Sequence, residues 1–102
     1  MMGSRLDLHD ILKTIVGSSN VYFQPPEDLK MKYPCIVYSK NKIDTKYSGD
    51  KVYNYTVGYT VTVIDRDPDS LIPEKLLILP KCSFDRHYTA DNLNHDVYNL
   101  FY

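Results

Sequence analysis

The chain has 102 residues, a length for one domain and no room for two. Apolar residues make up 43% and charged residues 25%, which excludes a disordered chain, and a net charge of −1 argues against a protein built mainly to neutralise nucleic-acid phosphates. The composition departs from the ordinary in one respect: ten tyrosines and no tryptophan, a bias that suits β-strands and contact surfaces.

Residues 5–16 read as an amphipathic helix. Ser4 is the N-cap and Asp7 stands three positions on, an acidic version of the capping box. Leu8, Ile11, Leu12 and Ile15 recur on one stripe, and Gly17 supplies the stop. The start, from Met1 to Arg5, runs straight into this pattern and shows no signal peptide, and no apolar run is long enough to span a membrane. The expectation is a chain made in the cytoplasm.

Residues 20–23 read as a short strand, ended by Gln24-Pro25-Pro26. A second strand starts at Cys35, behind Pro34. From Lys51 to Asp65 the alternation is strict. Tyr53, Tyr55, Val57, Tyr59, Val61 and Val63 fall on one face; Asn54, Thr56, Gly58, Thr60 and Thr62 fall on the other. Ser48-Gly49-Asp50 is a turn signal, so 35–47 and 52–64 are predicted to form one long β-hairpin. About thirteen residues at ~3.3 Å each span roughly 43 Å. A compact domain of this size is only about 35 Å across. The hairpin is therefore expected to project, with Gly58 as a bulge or bend site. Its distal half, about 40–56, is polar, and Lys42, Asp44, Lys46, Tyr47, Lys51, Tyr53 and Tyr55 are the predicted subunit interface.

Asp65-Arg66-Asp67-Pro68-Asp69 reads as a polar loop. Residues 71–79 read as a short helix capped by Asp69 or Ser70, with Leu76, Leu77 and Leu79 as its apolar side. Cys82–Thr89 and His95–Tyr102 read as a second hairpin closing the sheet. The predicted fold class is α+β: an antiparallel β-sheet with an N-terminal helix and a second short helix on one face, and a long projecting β-hairpin, all in one domain, 1–102.

Three groups of residues invite chemistry. Asp65, Asp67 and Asp69 match the first three ligand positions of an EF-hand loop, but Ser70 replaces its glycine and Leu76 its glutamate, so a solvated acidic turn is the reading. His87 and His95, with Asp85, Asp91 and Asp96 nearby, offer an alternative of another class: a small metal-binding protein or enzyme. The spacing matches no metal signature, and no metal or other cofactor is predicted. Cys35 and Cys82 lie in apolar strands, where a thiol is inert, and read as two buried free thiols. No nucleophile elbow, P-loop or zinc-helix motif is present, and no catalytic residue is assigned.

The N-terminal helix, the run Tyr33-Pro34-Cys35-Ile36-Val37-Tyr38, and the strand Tyr59-Thr60-Val61-Thr62-Val63-Ile64-Asp65 together resemble small tail-completion, or tail-terminator, proteins of tailed bacteriophages. The stretch from Phe84 to Tyr98 is similar to versions from phages and prophages of Gram-positive bacteria. The resemblance implies a structural protein without catalytic residues. It implies a homo-oligomeric ring, commonly a hexamer, that caps the tail-tube protein and joins it to the head connector in the virion. DNA would pass only as cargo, and no membrane is involved. A head-closure or connector-adaptor neck protein is the close alternative.

Overall fold

A computed structural model describes residues 4–102, and for residues 52–54 the backbone alone. Helix α1 runs Arg5–Val16, as the periodicity predicts. The Ser4 hydroxyl accepts from the Asp7 backbone N–H, and Gly17 closes the helix in the left-handed region at φ 79°. Leu8 and Leu12 are fully buried, and Val16 continues their stripe.

Five strands follow: β1 Val21–Phe23, β2 Cys35–Ser48, β3 Lys51–Asp65, β4 Cys82–Ala90 and β5 Leu93–Phe101, with helix α2 (Ile72–Leu76) between β3 and β4. They form one sheet in the order β1-β2-β3-β5-β4. The α+β class holds, with one difference from the expected sheet. β1 lies parallel to β2, Val21 opposite Ile36, so the sheet is mixed; the other pairings are antiparallel. A three-residue strand carries alternation but nothing that encodes direction, and the 24–34 connection that returns the chain holds no helix to announce a crossover.

The register fixes two faces. Ile36, Tyr38, Tyr59, Val61, Val63, Tyr98 and Leu100 share one, and both helices pack there: Leu8, Leu12, Ile72 and Leu76 join the same buried cluster. Tyr38 ties helix to sheet. Its hydroxyl takes a hydrogen bond from Arg5 at 3.2 Å and meets His9 Nδ1 at 2.7 Å, and its ring packs between Phe23 and Tyr59. With Arg5 donating to it, the Tyr38 hydroxyl keeps its own proton available for a neutral His9 that accepts at Nδ1. Burial, then the Lys13 and Arg5 charges, hold His9 below its ordinary value against the opposing pull of Asp10, which favours this neutral form.

Helix α2 is shorter than the 71–79 expected. Ser70 Oγ accepts from the Ile72 N–H at 3.3 Å, but the residue at the cap position is Leu71. Leu76 is buried and Leu79 packs on the core, whereas Leu77 is exposed, contrary to expectation: the helix ends at Leu76 and the apolar run outlasts the helical stripe. The second hairpin turns on Asp91 and Asn92, both at positive φ (53° and 61°), the conformation of a two-residue type I′ turn. Among the described residues no helix is long and apolar enough to cross a membrane.

Candidate subunit interface

The hairpin β2–β3 is as long as the alternation predicts and joins through the two residues Gly49 and Asp50, with Gly49 at φ 66°. Its inner half is flanked on both sides. β1 pairs with β2 as far as Tyr38, and β5 pairs with β3 from Asp65 to Gly58. Outward from the pair Ile43–Val57 no further strand among the described residues flanks it. Six residues of β2 remain, 43–48, and at about 3.4 Å each they reach roughly 20 Å. The molecule measures 51 × 28 × 23 Å with a radius of gyration of 14.7 Å, against about 13 Å for a compact chain of this length. The hairpin projects as an arm and does not curl back.

The arm begins at a bulge. The register shifts between Lys40 and Lys42, leaving Asn41 extra, opposite Gly58 and Tyr59. Asn41 Nδ2 donates to Thr60 Oγ1 at 2.9 Å, which fixes the bulged side chain across the strand. Space is tight at Gly58. A Cβ at this position would stand 2.7 Å from Asn41 Oδ1, 3.0 Å from Lys42 Cγ and 3.2 Å from Phe101 Cε1. The predicted bend site is thus the position where the partner strand bulges. Lys42 lays its ammonium 4.8 Å from the centre of the Phe101 ring. A cleft of about 380 Å³ opens at this root, lined by residues that include Asn41, Lys42, Gly58 and Phe101.

Beyond the root the arm stays amphipathic. Val57 belongs to the core face, so its neighbours on that face of the arm are Ile43, Thr45, Tyr47 and Tyr55. Ile43 is 53% exposed and Tyr47 63%, and Tyr55 is also exposed, because neither helix extends under them. Lys42, Asp44, Lys46 and Thr56 take the opposite face, with Lys42 and Asp44 3.8 Å apart in an exposed ion pair. Of the predicted interface residues, Lys42, Asp44, Lys46, Tyr47, Lys51 and Tyr55 all lie exposed on the arm. The side chain of Tyr53, like that of Asn54, lies outside the described residues. Ile43 escaped the sequence reading, which weighed this stretch as polar. Its period-two relation to Thr45 and Tyr47 is the signal that places it on the apolar face.

The other candidate groups come apart. His87 pairs with Asp96, on the helix-covered face, and its Nδ1 meets Asp96 Oδ1 at 2.7 Å. His95 pairs with Tyr88 on the opposite face and stacks on that ring, centroids 4.6 Å apart. A sheet therefore stands between the two histidines, and they cannot share a metal ion. No group of three or more potential metal ligands forms among the described residues. Asp65 Oδ1 accepts from the Asp67 N–H and Asp67 Oδ1 from the Asp69 N–H, two successive aspartate turns that occupy the carboxylates locally.

Cys35 is fully buried; Cys82 is only half-buried, because β4 is an edge strand. They sit on opposite faces, three strand spacings or about 14 Å apart, too far for a disulfide. Burial, with a smaller push from Asp65, raises the Cys35 thiol to about 11, and burial raises Cys82. Neither thiol is primed as a nucleophile.

No protein-family model and no curated protein matches the chain. The arm, with its uncovered apolar face and charged reverse, is the surface from which a function has to be argued.

Proposed function

We propose that this chain is a structural assembly protein, a tail terminator of a tailed bacteriophage, which acts as a ring. In this reading the ring, commonly of six copies in the family it resembles, caps the last layer of tail-tube protein and offers its other surface to the head connector. The chain is made in the bacterial cytoplasm and ends in the neck of the virion. DNA passes through as cargo, and no chemistry is performed.

One observation carries the reading. The arm continues the core face of the sheet for roughly 20 Å past the last supporting strand, and its apolar side chains lie open to water. A two-stranded ribbon without cover is marginal by itself, so an arm of this form gains its stability from a partner. Resemblance of the helix, the Tyr33–Tyr38 run and the β3 pattern to tail-terminator proteins supplies the context.

Electron microscopy of the purified chain, alone and mixed with tail-tube polymers, tests the proposal. Rings of uniform size that bind the ends of tubes are the expected result. Rings that bind a head connector and ignore tubes would make the protein a connector-adaptor instead. A chain that stays monomeric in both conditions would remove the assembly reading.

A further inference from the structure

One edge of the arm has backbone groups with no strand beside them. The inner stretch of the same β2 edge is occupied: the Ile36 N–H donates to the Asn20 carbonyl, the Tyr38 carbonyl accepts from the Gln24 N–H, and the Lys40 N–H donates to Gln24 Oε1 at 3.2 Å. Those are even-numbered residues. The extra residue at Asn41 moves the alternation on by one, so beyond the bulge Ile43, Thr45 and Tyr47 turn their N–H and C=O groups to this edge. The shift near the tip, between Lys46 and Tyr47, adds its extra residue to β3 and leaves β2 regular. From Lys42 to Ser48 no strand among the described residues lies along this edge, and the whole stretch is exposed.

We infer that this edge pairs antiparallel with the same edge of a second copy, about a twofold axis at Thr45. Ile43 of each copy then stands opposite Tyr47 of the other on the apolar face, and Asp44 opposite Lys46 on the charged face. Unlike charges directly opposite each other stabilise a strand pair, and like charges oppose it. Charge therefore selects the register. A slip of two residues one way sets Asp44 against Asp44 and Lys42 against Lys46; a slip the other way sets Lys46 against Lys46. A slip of one sets residues that face the gap against residues that face away from it, and the ladder cannot form. The other open edges lack this self-match. On β3 outward of Gly58, residues 51–57 carry one charge, Lys51. On β4, Asp85 and Arg86 already pair with each other at 2.6 Å, beside the bulge that interrupts that edge. Taken whole, residues 43–57 balance Asp44 and Asp50 against Lys46 and Lys51, so two arms approach without net repulsion. The contact is isologous and closes at two copies. It goes beyond the ring reading, since a ring needs a further contact that repeats head to tail.

Three single variants test the pairing. Thr45→Pro removes an N–H that faces the open edge and leaves the β2–β3 ladder its bonds, the setting in which a strand tolerates proline. Asp44→Lys and Lys46→Asp each set like charges opposite one another on both sides of the axis. Thermal melts first establish which variants fold; if Thr45→Pro does not, the charge variants decide alone. Sedimentation equilibrium at low salt then gives mass and dissociation constant over a concentration series. The expected results are a dimer for wild type, no dimer for Thr45→Pro, and a dissociation constant raised about tenfold or more in each charge variant. Their equimolar mixture should recover the wild-type dimer, because two lysines of one chain then face two aspartates of the other. A folded Thr45→Pro that dimerises like wild type overturns the pairing, as does a mixture no tighter than either charge variant alone. Wild-type rings whose mass Thr45→Pro leaves unchanged overturn the pairing and leave the ring reading standing. A wild-type chain that stops at the dimer even with tail tubes present removes the ring and supports the pairing. A wild-type chain that is monomeric at every concentration overturns both.

Discussion

The two halves of the β2–β3 hairpin have the same pattern and opposite surroundings. In the inner half Tyr38, Tyr59, Val61 and Val63 face two helices and are buried; in the outer half Ile43, Tyr47 and Tyr55 continue that face and are exposed. Alternation reports only that one face of a strand is to be covered. It does not report what covers it. In the inner half the cover is α1 and α2, and in the outer half the described residues supply none. The difference locates the boundary between folding and assembly at the Asn41 bulge and Gly58, within a single pair of strands.

The contrast is broken most severely by comparing truncations in the two halves. Leu12→Ala or Leu8→Ala removes a fully buried side chain from under the sheet and should cost about 2–5 kcal/mol in urea unfolding of the dilute chain. Tyr47→Ala, on the same face of the hairpin, should cost less than about 0.5 kcal/mol in that assay. Equal costs would mean that the arm folds onto its own body.

Gly58→Ala tests the boundary itself. The new methyl group meets Asn41, Lys42 and Phe101, and the expected loss is about 1–3 kcal/mol, with the Asn41–Thr60 hydrogen bond broken. A neutral result would show that the root of the arm yields, and that the close approach is incidental.

Tyr38→Phe tests the tie between α1 and the sheet, with an expected loss of about 1 kcal/mol. The ring stays, but the half-buried Arg5 and His9 lose their shared partner. An unchanged unfolding midpoint would show that ring packing alone holds the helix.

One effect appears only in alkali. Folding raises Cys35 from 9.0 to about 11, so the native state favours the neutral thiol. That contribution is fully present below pH 9 and is lost as pH rises through 11, because the unfolded chain gives up its proton first. Unfolding midpoints should fall over that window, less steeply in Cys35→Ala. An identical slope in the variant would assign the loss to other groups, Tyr98 among them, which burial and Asp96 push up to about 12.

Much of the fold was legible because local signals agreed. The cap at Ser4, the stripe through Leu8 and Leu12 and the glycine at 17 bound α1 to the residue, and the strict alternation from Tyr53 to Val63 gave the length of the arm. What escaped has physical reasons. The direction of β1 depends on its neighbour and not on its three residues. The exposure of Leu77 depends on where α2 stops, and an apolar run does not mark that. The separation of His87 and His95 follows from the β4–β5 register. That register pairs His87 with Asp96 and Tyr88 with His95, after a shift at Asp85 that the sequence does not announce. The arm was legible as polar and projecting, yet its apolar face came into view only with the register that set Ile43 beside Val57.

Replacing residues 44–56 with an Asn-Gly turn that closes Ile43 onto Val57 tests the central claim most directly. Mass by light scattering and the thermal melt are the two readings. The account predicts a chain that keeps the melt of the monomeric body and no longer assembles under conditions in which the full-length chain forms rings. An oligomer of unchanged size and stability would contradict it.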